Sequence, residues 1–546
     1  MRFLGSVSFL RLFGILYVFG AGMSASLRSQ EFDLVIRRGR IVDGTGAAAV
    51  AGDIAIRDGR IIAVGTVSGK GRTEIDAQNR IVAPGFIDVH THSEDITDLP
   101  VAENFIRMGV TTIITGNCGG SKLEIGAFLK SVEKTGTTLN VATLIGHNTV
   151  RSQVMGGSFA RPPTRAELDQ MMALVDRGMR EGAVGLSTGL IYLPGTFATT
   201  EEIIALAQRA SVYGGIYASH MRYENDRIME ALNEVLRIAR EAEIPAEVSH
   251  IKLSGPAAWD MAGDVIKLLD TARAEGVRVT HDQYLYTASS TSLGTPIPAE
   301  AREGGRQRFR ERLADPAEKA RIVAEMKATL QRSRRTDYAY AVIANFEADT
   351  SLNGKSVPEV ATLRRGSATL DDQIETILDI ESRGGASAVF HGMSEENLKR
   401  FLVHPMTMIA SDSSPRRFGE AVPHPRGYGN NARVLAHYVR DIQLLSLEEA
   451  VRKMTSLPAR TFSLAQRGEI RTGFVADLVI FDLAAVQAPS WFGDPHHYAA
   501  GFDEVLVHGV PIIRGGQLTG ARPGLALRHT PLPPYPRPEY ESPLPT

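Results

Sequence analysis

From residue 86 to residue 412 one pattern recurs eight times: a short apolar run reaches polar residues, and a helical stretch follows most of the runs. The runs are FIDVHTH (86–92), VTTIITGNCG (110–119), VATLIGH (141–147), AVGLSTG (183–189), GIYASH (215–220), PAEVSH (245–250), VRVTHDQY (277–284) and MTMIASD (406–412). Alternation of this kind marks βα units around a parallel sheet. Eight units point to an α/β fold, a (β/α)8 barrel of the TIM type, with its chemistry at the C-terminal strand ends. The helical stretches carry apolar stripes for the core, such as Leu168, Met171, Met172, Val175 and Met179 between Arg165 and Arg180. The interval from 285 to 405 is too long for one connection and reads as an inserted subdomain after strand 7, at about 291–390.

The flanks have a different character. FDLVIRRGRIVDG, DIAIRDGRIIAVG and RIVAPGF near the start, and GEIRTGFVADLVIFD and VLVHGVPIIRGGQLTG near the end, are short strands separated by Gly and Asp-Gly turns. They predict one small β-sandwich built from both chain ends, at 32–85 and 466–530, around a barrel at 86–465. Residues 1–25 have Arg2 and Arg11 before an apolar run from Leu12 to Gly22, then small residues, and read as a signal peptide. An exported protein, periplasmic or secreted, is the expectation; a leader on a cytoplasmic protein is the alternative. The apolar run is too short to span a bilayer, and no other stretch is long and apolar enough to do so. The last residues, 531–546, form a proline-rich tail.

Composition narrows the partners. A net charge of −2, with 60 Lys and Arg against 62 Asp and Glu, offers no basic excess for nucleic acid. A single cysteine, Cys118, excludes an intrachain disulfide.

Histidines gather at the strand ends. His90 and His92 are two apart on the first strand, so both imidazoles point to one face, a spacing that suits a zinc-like divalent ion. His220 ends the fifth strand and His250 the sixth, one βα repeat later. Cys118 lies in a glycine-rich loop after the second strand; it reads either as a small buried hydrophobe or as a thiolate that ligates or bridges metal ions. Asp412 ends the eighth strand, opposite these groups, where it reads as a helix cap or as a general base for a metal-activated water.

With these residues in view, the chain resembles the amidohydrolase superfamily and, within it, the D-aminoacylase (N-acyl-D-amino-acid deacylase) family. PGFIDVHTH (84–92) is the broadly shared motif. TGNCG (115–119), GHNTVR (146–151), GAVGLSTGLIYLPG (182–195), ASHMRYE (218–224), EVSHIKLSG (247–255), DQYLYTASST (282–291), MIASDSSP (408–415), HPRGYGNNARVLAHYVRD (424–441) and GARPGLALR (520–528) are more specific. The resemblance covers about 32–528. It implies a zinc-dependent hydrolase that acts on small-molecule N-acyl-D-amino acids and yields a carboxylate and a free D-amino acid. It implies that Cys118, His220 and His250 hold one tight zinc, with His90 and His92 holding a second, weaker metal that Cys118 bridges. Asp412 matches the family's catalytic aspartate, and Lys252, Tyr284 and Arg426 match residues that bind the substrate α-carboxylate. Arg426 has the planar fork that grips a carboxylate through two parallel bonds. His147 matches a family motif without an assigned role.

The fourth strand carries no lysine, whereas hydantoinases and dihydroorotases bridge their metals there with a carboxylated lysine. That favours linear over cyclic amides, which leaves a cyclic-amide hydrolase as the alternative enzyme and a catalytically dead secreted binding protein as the non-enzyme alternative. Three positions depart from the family pattern: Ser413-Ser414 after Asp412, Leu285 after Tyr284, and Asn430-Asn431-Ala432 after the arginine motif. All three concern the side-chain preference, which stays open between neutral, acidic and broad.

Overall fold

The computed structural model describes residues 32–529. The expected signal peptide (1–25) and the proline-rich tail (531–546) lie outside the described residues. No helix among the described residues is long and apolar enough to cross a membrane.

The eight barrel strands are all present and pair in parallel. The first is Phe86–Asp88, the second Val110–Thr115, and the third is broken at Leu144 into Asn140–Thr143 and Ile145–Gly146. Gly185–Gly189, Ile216–His220, Ala246–Val248, Val279–Gln283 and Thr407–Ile409 follow in order. A parallel bridge between Thr91 and Ser413 brings the end of the eighth strand against the end of the first. There the Asp412 amide donates to the His90 carbonyl at 2.9 Å and the His92 amide donates to the Ser413 carbonyl at 2.7 Å. Strands buried on both sides need near-continuous apolar or β-branched runs, and the second strand, VTTIIT, is buried at every position.

The outer helices obey local rules. Arg165–Glu181 opens on a capping box in which Thr164 and Glu167 satisfy each other's backbone donors, and it stops at Gly182, whose φ of 114° a side chain would resist. Its Met171, Val175 and Met179 are buried, while Leu168 and Met172 pack at the margin of the same core.

The chain ends meet in one nine-stranded sheet. Ile81–Pro84 from the N-terminal part pairs antiparallel with Leu478–Phe481 from the C-terminal part, and this joint seats the sheet beside the start of the barrel. The insertion after the seventh strand has its own three-stranded antiparallel sheet, Ala288–Ser292, Ser387–His391 and Ala341–Asn345. It also has its own core, including Phe309, Ile322, Met326 and Ile377. Its first strand reaches the barrel mouth: the Thr291 hydroxyl donates to the Tyr192 hydroxyl at 3.1 Å, and the Ser290 carbonyl accepts from Arg426 at 3.4 Å.

His147 proves to be structural. Its Nε2 lies 2.8 Å from Glu202, whose other oxygen pairs with Arg151, and all three side chains are buried. Removing one partner of such a cluster strands a buried charge. Arg151→Met is therefore expected to cost about 3–5 kcal/mol in chemical denaturation, and a loss under about 1 kcal/mol would contradict that role.

Candidate active site

At the C-terminal strand ends, three imidazoles converge on one sulfur. Cys118 Sγ lies 3.3 Å from His90 Nε2, 3.6 Å from His220 Nδ1 and 3.7 Å from His250 Nε2. Burial opposes the thiolate, but His90, His220 and His250 outweigh it and hold the thiol well below its usual range. The sulfur sits on a tight loop. Cys118 itself has φ 52° and Gly119 has φ 76°; a Cβ on Gly119 would lie 2.2 Å from Asn148 Oδ1, so no larger residue fits there. Asn117 ties the loop down by donating to the Ile114 carbonyl at 3.0 Å and the Val89 carbonyl at 3.2 Å. Ser187, on the lysine-free fourth strand, donates to the Gly116 carbonyl and accepts from the Gly119 amide.

Behind the imidazoles stand carboxylates that spacing alone does not reveal. Asp282 accepts from His90 Nδ1 at 3.0 Å and from the His250 amide at 3.0 Å. With Nδ1 protonated toward Asp282, the His90 Nε2 lone pair faces Cys118. Glu224 lies 3.1 Å from His250 Nδ1 and 3.8 Å from His220 Nε2. Burial works against its charge, yet Lys252, His220 and His250 hold it ionised, well below the usual carboxylate range. Glu247 lies beside Asp282, and burial together with that neighbour pushes its carboxyl well up. Carboxylate partners of this kind orient metal-binding histidines and set their tautomers.

Asp412 faces the cluster from the eighth strand. It lies 3.1 Å from His92 Nε2 and 3.7 Å from His90 Nε2, and Arg426 Nη1 approaches its other oxygen at 2.8 Å. Burial would raise its carboxyl, but Arg426, His90 and His92 hold it well below the usual range. Asp412 and His250 have φ values of 51° and 38°, the left-handed turn that swings each side chain inward from its strand end. Asp88 fixes the strand before Asp412 by accepting from the Ser411 amide at 3.0 Å; burial raises its own carboxyl to about 7.

Three sets of donor atoms each fall within 4.8 Å of one another: His90, Cys118 and His250; His90, His92 and Asp412; and His220, Glu224 and His250. The buried His220 Nε2 has no hydrogen-bond partner. Nitrogen and sulfur donors with one orphaned imidazole nitrogen fit a zinc-like ion.

The structure places the other expected residues at this site with distinct partners. Arg426 heads the helix Arg426–Arg433 and lies over the Tyr284 ring at 4.5 Å. Its Nη1 contact with Asp412 is close in distance but not aligned as a hydrogen bond, so the Nη1 donors stay available while Nη2 donates to the Ser290 carbonyl. Lys252 is more occupied. Its Nζ donates to Glu224 at 2.5 Å and to the His250 carbonyl at 3.0 Å, and it lies 2.8 Å from His250 Nδ1. Among the proposed ligands His92 has a side chain 39% exposed, whereas His90, His220 and His250 are buried.

The amidohydrolase family model matches residues 73–513. This chain belongs to the amidohydrolase family. A D-aminoacylase of Alcaligenes xylosoxydans xylosoxydans is 34% identical to it over 92% of this chain and 99% of that one. An N-acyl-D-glutamate deacylase of the same organism is 32% identical over 91% and 97%. The solved N-acyl-D-glutamate deacylase of Bordetella bronchiseptica, complexed with zinc and a phosphonate that mimics the tetrahedral intermediate, superimposes with a TM-score of 0.77 at 31% identity, covering 92% of this chain and all of that one. This amidohydrolase thus has the barrel that its eight sequence repeats predict.

The sequence did contain signals for the residues that ligand spacing missed. Glu224 stands four residues after His220 in ASHMRYE, and Asp282 opens DQYLYTASST at the end of the seventh strand. Each is a carboxylate at or just beyond a strand end, level with the histidines.

Proposed function

We propose that this amidohydrolase hydrolyses the amide bond of N-acyl-D-amino acids with zinc held by Cys118, His220 and His250, and a second, weaker site at His90 and His92. The observation that carries this reading is the convergence of His90, His220 and His250 on the Cys118 thiolate, with Asp412 and Arg426 directly across from it. The substrate class comes from relatives that share nearly the whole chain. Zinc, when bound, supplies Lewis acidity to the attacking water and the scissile carbonyl.

The chain's own residues do the rest. Asp412, kept ionised, accepts the proton of the attacking water and returns it to the departing amine nitrogen. Arg426 offers the N–H donors of Nη1 to the α-carboxylate, and Lys252 adds positive charge beside it. Tyr284 stacks under both cations and keeps them at the mouth. With the carboxylate and the carbonyl both fixed, only one direction remains for the side chain, which separates D from L. The buried Asp282 holds His90 in the tautomer that aims a lone pair at Cys118, and Glu224 and Lys252 together fix the His250 ring from behind.

Amine release from matched D and L N-acetyl amino acids, with and without added zinc, tests the reading. Zinc-dependent turnover of D substrates only is expected. Hydrolysis of hydantoins in preference to every linear amide would overturn it. The charged start and apolar run within residues 1–25 support export of the chain.

A further inference from the structure

Two guanidinium groups stand near the single carboxylate of Asp412, and only one of them is paired with it. Arg416 follows Asp412 by four residues. Its backbone amide donates to Asn104 Oδ1 at 3.1 Å, and the Asn104 amide in turn donates to the Ser414 carbonyl at 3.2 Å and the Gly427 carbonyl at 2.8 Å. This clamp lays the Arg416 stem along the first turn of the Arg426 helix. A Cβ on Gly427 would lie 2.6 Å from Ser413 Oγ and 3.7 Å from Arg416 Cγ, so glycine lets the two segments approach this closely.

Arg416 is half-buried, its side chain makes no hydrogen bond and no ion pair with any described residue, and its Nε is buried. The next residue, Arg417, differs: it points outward, is mostly exposed, and pairs with Glu420. Burial and the nearby Arg426 both disfavour charge on Arg416, and Tyr428 and Asp412 offset them only in part. A buried donor without a partner is costly, and neither Asp412 nor any other described carboxylate pairs with Arg416. The α-carboxylate satisfies Arg426 and leaves Arg416 unmatched. Relatives do not settle the matter, since D-aminoacylase, N-acyl-D-glutamate deacylase and N-acyl-D-aspartate deacylase match at 34%, 32% and 33% identity.

We propose that Arg416 receives a second carboxylate, carried on the substrate side chain, so that N-acyl derivatives of acidic D-amino acids are the preferred substrates. The assignment rests on the deacylase reading above and adds to it the direction in which the side chain lies: away from the zinc ligands, toward the segment between Asp412 and the Arg426 helix. Arg suits this role because its planar fork binds a carboxylate at two points.

The test is steady-state kinetics of the zinc-loaded full chain on N-acetyl-D-glutamate, N-acetyl-D-aspartate and N-acetyl-D-leucine. The wild type is expected to favour an acidic substrate over the leucine derivative by at least about tenfold in kcat/KM. Arg416→Met is expected to lower that ratio at least about tenfold, chiefly through KM. Arg416→Lys, which keeps the charge but not the fork, is expected to fall between the two, and it carries the test if the Met variant does not fold. A wild type that prefers the leucine derivative, or a variant whose ratio stays within about threefold of the wild type, overturns the assignment. If none of the three D substrates is hydrolysed, the deacylase reading itself falls, and the assignment with it.

Discussion

Asp412→Asn is expected to lower kcat by about 10²–10⁴-fold while leaving the tightly held zinc of the purified protein in place. The amide is nearly the same size as the carboxylate but cannot take a proton from water at neutral pH. Nothing in the Cys118–His220–His250 set passes through Asp412, whose contacts are with His92, His90 and Arg426. The left-handed backbone at φ 51° suits Asn as well as Asp, so the substitution adds little local strain. It does remove the anion facing Arg426, and a modest loss of thermal stability is expected alongside the kinetic one. The measurements are kcat on an N-acetyl-D-amino acid and zinc per chain by elemental analysis. Activity within about threefold of the wild type would refute the general-base assignment.

Cys118→Ala is expected to abolish tight zinc binding and, with it, turnover. The thiolate is the common neighbour of His90, His220 and His250, so its loss removes the group shared by the two proposed metal positions. Loss of an outer-shell partner alone lowers metal affinity roughly 10–100-fold; loss of a directly ligating thiolate is expected to exceed that. The loop around the residue is held independently by Asn117 and Ser187, so the variant is expected to fold. Zinc titration followed by calorimetry, with circular dichroism to confirm the fold, checks both statements. A variant that binds zinc as tightly as the wild type would show that Cys118 is only a buried hydrophobe, the other reading its sequence context permits.

Much of the architecture was legible because it rests on local periodicity. An apolar run that ends in a polar residue, repeated eight times with helices between, implies the barrel, and the two-residue period of a strand puts His90 and His92 on one face. The spacing of His220 and His250 by one βα repeat places them on neighbouring strand ends; the parallel register, pairing Ala218 with Glu247 and Ser219 with Val248, sets His220 level with Ser249, and the left-handed backbone of His250 brings its imidazole into line. The carboxylates behind them were harder to see. Asp282 serves His90 from 192 positions away and Glu224 serves Lys252 from 28 away. No fixed spacing relates a ligand to the group that orients it, because that group need only lie at the right depth on another strand.

Local sequence pattern was enough for the barrel, the strand-end positions of Cys118, His90, His92, His220, His250 and Asp412, and the absence of a bridging lysine. Each follows from short-range rules that act within one strand or one βα repeat. Tertiary packing alone brings the eighth strand against the first at Thr91 and Ser413, sets Asp282 behind His90 and Glu224 with Lys252 behind His250, places His147 in a buried ion cluster, and leaves the Arg416 side chain without a partner among the described residues. Those outcomes depend on which charged groups are desolvated together. Desolvation is a property of the packed molecule: it arises when residues far apart in the chain exclude water from a common space, and no local pattern of residue types records it.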